Sequence, residues 1–169
     1  METTQKLLMN SKQVQQRINR LAWQVAEQCF GETEIIMAGI ASSGYKLAER
    51  LKATIESISE IRIRLIELQI NKEAPLASTP ALALSATELN GKTVIVVDDV
   101  SNSGRTLMYG VKPFLEHQVR NIFTLVLVDR DHSRFPVKTN FVGLSLATTL
   151  LEHVQVDLHE NGEASVYLN

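Results

Sequence analysis

The sequence predicts an α/β fold, and three stretches carry that prediction. Val94 to Val97, Glu34 to Ile40 and Ile122 to Val128 are nearly unbroken apolar runs, rich in β-branched residues and bounded by turn formers. Runs of that kind, about 4–8 residues long, read as strands buried on both faces, as in a sheet covered by helices. The first two lead through loops of small residues into apolar positions at helical spacing.

Taken in order, Ser11 is placed to cap a helix whose inner face is Val14, Ile18, Leu21, Ala22 and Val25. Lys12, Arg17 and Arg20 fall on or near its other face, which reads as a solvated surface or a thin RNA contact, and Trp23 reads as packing. The run EIIMAGI, Glu34 to Ile40, ends in Ala41, Ser42, Ser43 and Gly44 and opens into a helix marked by Leu47, Leu51 and Ile55. Small hydroxyl residues at a strand-to-helix junction make a second potential anion cradle, suited to pyrophosphate. Ile61 to Ile70 alternates apolar and polar but slips phase at Ile66, which predicts either a bulge or an exchange of the buried face. Asn71 to Gly91, with Pro75 and Pro80, is long for a connection and reads as a lid or a loosely paired excursion.

Beyond the central motif, Val111, Phe114 and Leu115 mark the apolar side of a helix, and the strand Ile122 to Val128 ends in Asp129, Arg130, Asp131 and His132. If the strands are parallel, that cluster lies at the same sheet edge as the other loops, where open α/β sheets bind ligands. Asn140 to Leu146 and Glu152 to Leu158 read as further strands, and Asn161-Gly162 as a hairpin turn into Ser165 to Leu168.

Composition bounds the class. A chain of 169 residues, 44% hydrophobic and 21% charged, suits one globular domain spanning residues 1–169. No apolar run approaches the ~20 residues of a membrane span, and no signal-peptide pattern opens the sequence, so a cytoplasmic protein is expected. The single cysteine, Cys29, cannot form an internal disulfide, and a net charge of -2 exerts no global pull toward nucleic acid.

The chemistry concentrates in KTVIVVDDVSNSGRTLMYG, Lys92 to Gly110. Ser103 and Thr106 supply hydroxyls, Gly104 can take a backbone angle forbidden to side chains, and the following helix start aims amides at the loop. Asp98 and Asp99 lie just behind, where they suit sugar hydroxyls or a hydrated Mg²⁺ and would repel a second phosphate. The pattern points to a ribose 5-phosphate.

This stretch resembles the phosphoribosyl pyrophosphate (PRPP) signature of type I phosphoribosyltransferases. MAGIASSGYKLAERL, VIVVDDVSNSGRT, LVLVDRDHSRFPVKTNFVG and the VQVDL ending extend the likeness over most of the chain, toward the branch of bifunctional pyrimidine-operon attenuators and uracil phosphoribosyltransferases. The resemblance implies a parallel five-stranded core sheet flanked by helices, with a small hood. It also implies transfer of phosphoribose from PRPP to uracil, giving UMP and pyrophosphate, with Mg²⁺ as cofactor and a homo-oligomer, dimer or tetramer. By the same resemblance Asp98 and Asp99 hold the ribose hydroxyls and, through water, the metal. Ser101, Asn102, Ser103, Gly104, Arg105 and Thr106 take the 5-phosphate, and Ala41, Ser42, Ser43 and Gly44 the pyrophosphate. Lys72 brings the lid's charge to the reaction, and Asp129, Arg130, His132, Phe141 and Val142 read the base. Three positions depart from the family pattern: Ser43 replaces a basic residue, Lys72 an arginine, and Asn102 an acid found in purine-using relatives. They leave open a second reading, a PRPP or nucleotide-binding regulator of pyrimidine genes with weak or lost catalysis and RNA as a further partner.

Overall fold

The computed structural model describes residues 5–77 and 79–169. Strand β1 (Lys6–Met9) precedes helix α1 (Ser11–Gln28). Strand β2 (Glu34–Ile40), helix α2 (Ser43–Ile58) and strand β3 (Arg62–Leu68) follow. The short helix α3 (Ala86–Leu89) leads to strand β4 (Thr93–Ser101) and helix α4 (Arg105–Val111). Strands β5 (Asn121–Asp129), β6 (Phe141–Ser145), β7 (Val154–Leu158) and β8 (Ala164–Leu168) complete the chain. No helix among the described residues is long and apolar enough to cross a membrane.

The main sheet has the order β3-β2-β4-β5-β6, and all four pairings are parallel. Because side chains alternate across a strand, each central strand feeds two cores. Ile35, Met37, Ile95, Val97, Leu125 and Leu127 face the side covered by α1 and α2. Ile36, Ala38, Val94, Val96 and Val126 face the other, with Leu107 and Phe114. Both faces are dry, so the strands read as continuous apolar runs. The chain passes from β2 outward to β3 and then back across β2 to β4. The sheet therefore has a topological switch point between β2 and β4, where a crevice opens at the strands' carboxyl ends.

A second, antiparallel sheet of order β1-β8-β7 forms the hood, built from both ends of the chain. Its strand β1 gave no sequence signal, because four residues are too few to show a period. The hairpin turn forms at Gly162, which takes φ +92°.

Local details correct three expectations and decide between the two alternatives of a fourth. Asn10, not Ser11, caps α1: its side chain accepts from the Gln13 amide while Gln13 reaches back to the Asn10 amide, and Ser11 instead accepts from the Ala164 amide of the hood. Trp23 is not packed; it is 60% exposed. Leu115 is also exposed, since α4 ends at Val111 and a tight 3-10 turn containing Pro113 buries Phe114 instead. The phase slip at Ile66 is an exchange of faces without a bulge: β3 keeps continuous register with β2, Ile63 joins one core, and Ile66 and Leu68 join the other.

Candidate active site

Strand β4 carries Asp98 and Asp99 to the carboxyl edge of the sheet. Asp98 is only 1% exposed, its Oδ1 accepting the Asp99 amide at 2.9 Å, and Asp99 Oδ1 accepts the Val100 amide at 2.8 Å. Lys72, from the segment after β3, sets its Nζ 3.2 Å from Asp98 and 3.7 Å from Asp99. Burial, and then the negative charge of Asp99, push the Asp98 carboxyl up to about 8 against the opposing pull of Lys72. Burial lowers the Lys72 ammonium, but the two carboxylates together outweigh it and hold the group above the ordinary lysine range.

After β4 the chain turns through Ser101 to Thr106 into α4. Gly104 adopts φ +80°, and a Cβ there would lie 2.7 Å from Val137 Cγ1. Glycine is needed both for the left-handed angle and for the close approach of the 135–137 segment. That segment fastens the loop from behind, with the Arg134 and Phe135 amides donating to the Ser103 carbonyl at 2.8 and 3.0 Å. The first turn of α4 leaves amides without intrahelical partners facing the same loop.

The two carboxylates, Lys72 and the whole Ser101–Thr106 loop line one cleft of about 440 Å³. Its opposite wall comes from the hood: His153, Val154, Gln155 and Val156. Those four were missed as site residues, because nothing in the alternation of β7 says which cavity it overhangs. The Ala41–Gly44 turn stands beside this cleft at the end of β2 and does not line it. A Cβ on Gly44 would be 2.7 Å from the Val97 carbonyl and 3.0 Å from Asp98 Cα, so the glycine lets this turn lie against the strand that bears Asp98.

None of the residues expected to read the base lines this cleft. Phe141 is buried in the core, its ring edge-on to Phe123 at a centroid distance of 5.8 Å, and offers no face to a ligand. Val142 packs against the other core, and its carbonyl accepts from Arg20. Asp129 accepts from Thr139 and from the Asp131 amide. His132 Nε2 meets the Thr148 carbonyl at 2.7 Å. Arg130 is buried with four of its five donors engaged: Nη1 donates to Asn102 Oδ1 at 2.6 Å, Nε to Thr148 Oγ1 at 2.9 Å, and Nη2 to the carbonyls of Thr149, at 3.0 Å, and Glu152. The 129–132 cluster thus ties the Ser101–Thr106 loop to the 148–152 segment that leads into β7. On that segment Leu150 and Leu151 are 81% and 97% exposed.

Arg17 and Arg20 both donate to the Gly143 carbonyl, so the helix face that read as a solvated surface or a thin RNA contact directs two guanidiniums to β6.

A model of the phosphoribosyl transferase domain matches residues 5–161. A bifunctional protein PyrR of Haemophilus ducreyi is 33% identical over 172 residues, covering 97% of this chain and 96% of its own. A bifunctional protein PyrR of Brevibacillus brevis is 32% identical, covering 91% and 90%. Among solved structures, the hypoxanthine phosphoribosyltransferase of Trypanosoma cruzi superposes with a TM-score of 0.73 at 16% identity, covering 95% of both chains. A hypoxanthine-guanine phosphoribosyltransferase of Bacillus anthracis superposes with a TM-score of 0.67 at 23% identity, over 83% of this chain and 81% of that one. At those identities the structural likeness is one of fold.

Proposed function

The chain belongs to the phosphoribosyl transferase family, and from that membership we propose that it transfers phosphoribose from PRPP to uracil, releasing UMP and pyrophosphate. The observation that carries this reading is the shared cleft, in which a buried carboxylate pair lies against a hydroxyl-bearing loop at a helix start. The 5-phosphate binds the amides and hydroxyls of Ser101 to Thr106, Arg105 adding charge at the rim, and the ribose hydroxyls reach Asp98 and Asp99. The Ala41–Gly44 turn, pressed against the strand below Asp98, takes the pyrophosphate end.

As the bond from ribose to pyrophosphate lengthens, positive charge gathers on the sugar, and the fixed carboxylates are placed to stabilise it. A nucleobase nitrogen then bonds to the anomeric carbon as the bond to pyrophosphate breaks, and its proton passes to water or to the departing pyrophosphate. Lys72 pairs with both carboxylates, so the ribose hydroxyls compete with it for them and the departing anion is its alternative partner. The hood wall of His153 and Gln155 narrows access for water, which would otherwise capture the cation.

The donor set suits a hydrated Mg²⁺, which binds one or two carboxylates and completes its shell with water and phosphate oxygens. Asp98 and Asp99 would hold it through water, and among the described residues no group of three or more His, Cys, Asp or Glu forms a cage of its own. When bound it supplies charge neutralisation on the leaving pyrophosphate.

A purine is disfavoured by Asn102, which stands where purine-using relatives carry an acid and whose oxygen is already bonded to Arg130. A phosphorylated substrate that does not cross membranes suits the cytoplasm. The regulator reading draws on two observations: Lys72 neutralises the carboxylates, and the pyrophosphate turn carries Ser43 with no basic side chain. Calorimetric titration with PRPP and Mg²⁺, followed by UMP-formation assays against uracil, guanine and hypoxanthine, separates the two. Product from uracil is expected; PRPP binding without product from any base leaves only the regulator.

A further inference from the structure

At the opposite edge of the molecule the ends of α1 and α2 converge beside the starts of β2 and β3 around a cleft of about 810 Å³. Its apolar lining comes from Trp23, Ala26, Phe30, Ile58 and Ile61, and Phe30 is 91% exposed. A folded chain seldom leaves a tryptophan and a phenylalanine together on one exposed face, because burying large apolar surface is favourable.

The charged side chains that line this cleft are all acidic. Glu27, Glu32 and Glu60 line it, and no Lys, Arg or His does. Glu32 is paired with Arg120 at 3.2 Å, but among the described residues Glu27 and Glu60 have no ion-pair partner. Both helices end here, and neither has a basic residue in its last turn, so two carbonyl-rich helix ends add to the negative potential. An acidic rim around an aromatic floor repels nucleic acid. It equally disfavours a second copy docked face to face, which would bring like charges together.

We propose that this cleft is a docking site for a protein partner that presents a basic segment with an apolar anchor. Trp23 and Phe30 receive the anchor, and Glu27 and Glu60 pair with Lys or Arg on either side of it. The site lies at the amino edge of the main sheet, whereas Asp98 lies at the carboxyl edge, so docking leaves the PRPP cleft open.

Trp23 is the sole tryptophan of the chain, so its fluorescence reads the site directly. The probe is a short blocked peptide of lysines and leucines with one phenylalanine and no tryptophan; the control replaces every lysine with glutamate. The lysine peptide is expected to shift and quench Trp23 saturably, with the glutamate peptide silent. Glu27→Lys combined with Glu60→Lys, and separately Phe30→Ser, should each weaken binding by about tenfold or more, with the melting temperature and circular dichroism of each variant confirming its fold. Absence of a saturable change overturns the proposal, as does equal binding of both peptides. Sedimentation gives a third refutation: a concentration-dependent dimer that Phe30→Ser dissociates assigns the face to a second copy.

Discussion

Replacing Asp98 with asparagine should make the ligand-free protein more stable while destroying its site. The carboxyl is 1% exposed, and burial with the Asp99 charge raises it from 3.8 to about 8. An acid whose folded value lies above its unfolded one favours folding while protonated and loses that advantage as pH rises through the folded value. Below the unfolded value the wild type therefore pays nothing for Asp98, and above the folded value the whole penalty is present. A rise of about four units sets an upper bound of roughly 5–6 kcal/mol at pH 8 and above. Local relaxation and water entry reduce the expected gain to about 2 kcal/mol. Asparagine keeps the bond from the Asp99 amide, since its own carbonyl accepts, and leaves Lys72 beside Asp99. The assay is urea unfolding of both proteins with a chelator present, at pH 5, 6, 7 and 8. The stability difference should grow with pH in favour of the variant, with PRPP affinity lost at every pH. A difference that stays flat across this range, or a variant less stable at pH 8, refutes the assignment of Asp98 as a strained, functionally retained carboxylate.

Three further outcomes test the remaining geometry. Gly104→Ala meets both a φ of +80° and a methyl contact at 2.7 Å from Val137, and should cost about 2 kcal/mol in thermal or urea unfolding and weaken PRPP binding measured by calorimetry. Arg130→Met leaves the Asn102 oxygen and the carbonyls of Thr149 and Glu152 without their donor; a loss of about 2–3 kcal/mol is expected, with PRPP affinity falling in parallel, and Arg130→Lys should fail to restore it for want of the planar fork. Phe141→Leu should cost about 1–2 kcal/mol of stability and leave the KM for the nucleobase unchanged, because its ring packs on Phe123; a large KM effect would return Phe141 to the base site.

The α/β class, the central strands and the small-residue loop Ser101–Thr106 that lines the cleft were legible in the sequence because each is a local signal. A run such as Val94–Val97 has to be apolar wherever helices cover both faces of a sheet, and a phosphate loop needs its glycine and hydroxyls within a few residues of one another. Asp98, Asp99 and the Ser101–Thr106 loop share one strand end, so chain connectivity alone brings them together. Other features depended on contacts between residues far apart in the chain. Nothing local shows that Asn102, Thr148 and Glu152 take donors of Arg130, or that Phe141 packs on Phe123. Lys72 reaches Asp98 across 26 positions of chain, and His153 and Gln155 overhang the cleft because β1 and β8 set the height of the hood. Side-chain type fixes what a residue is able to do, but which of its donors, charges or faces stays free for a ligand is decided by neighbours that only the tertiary fold supplies.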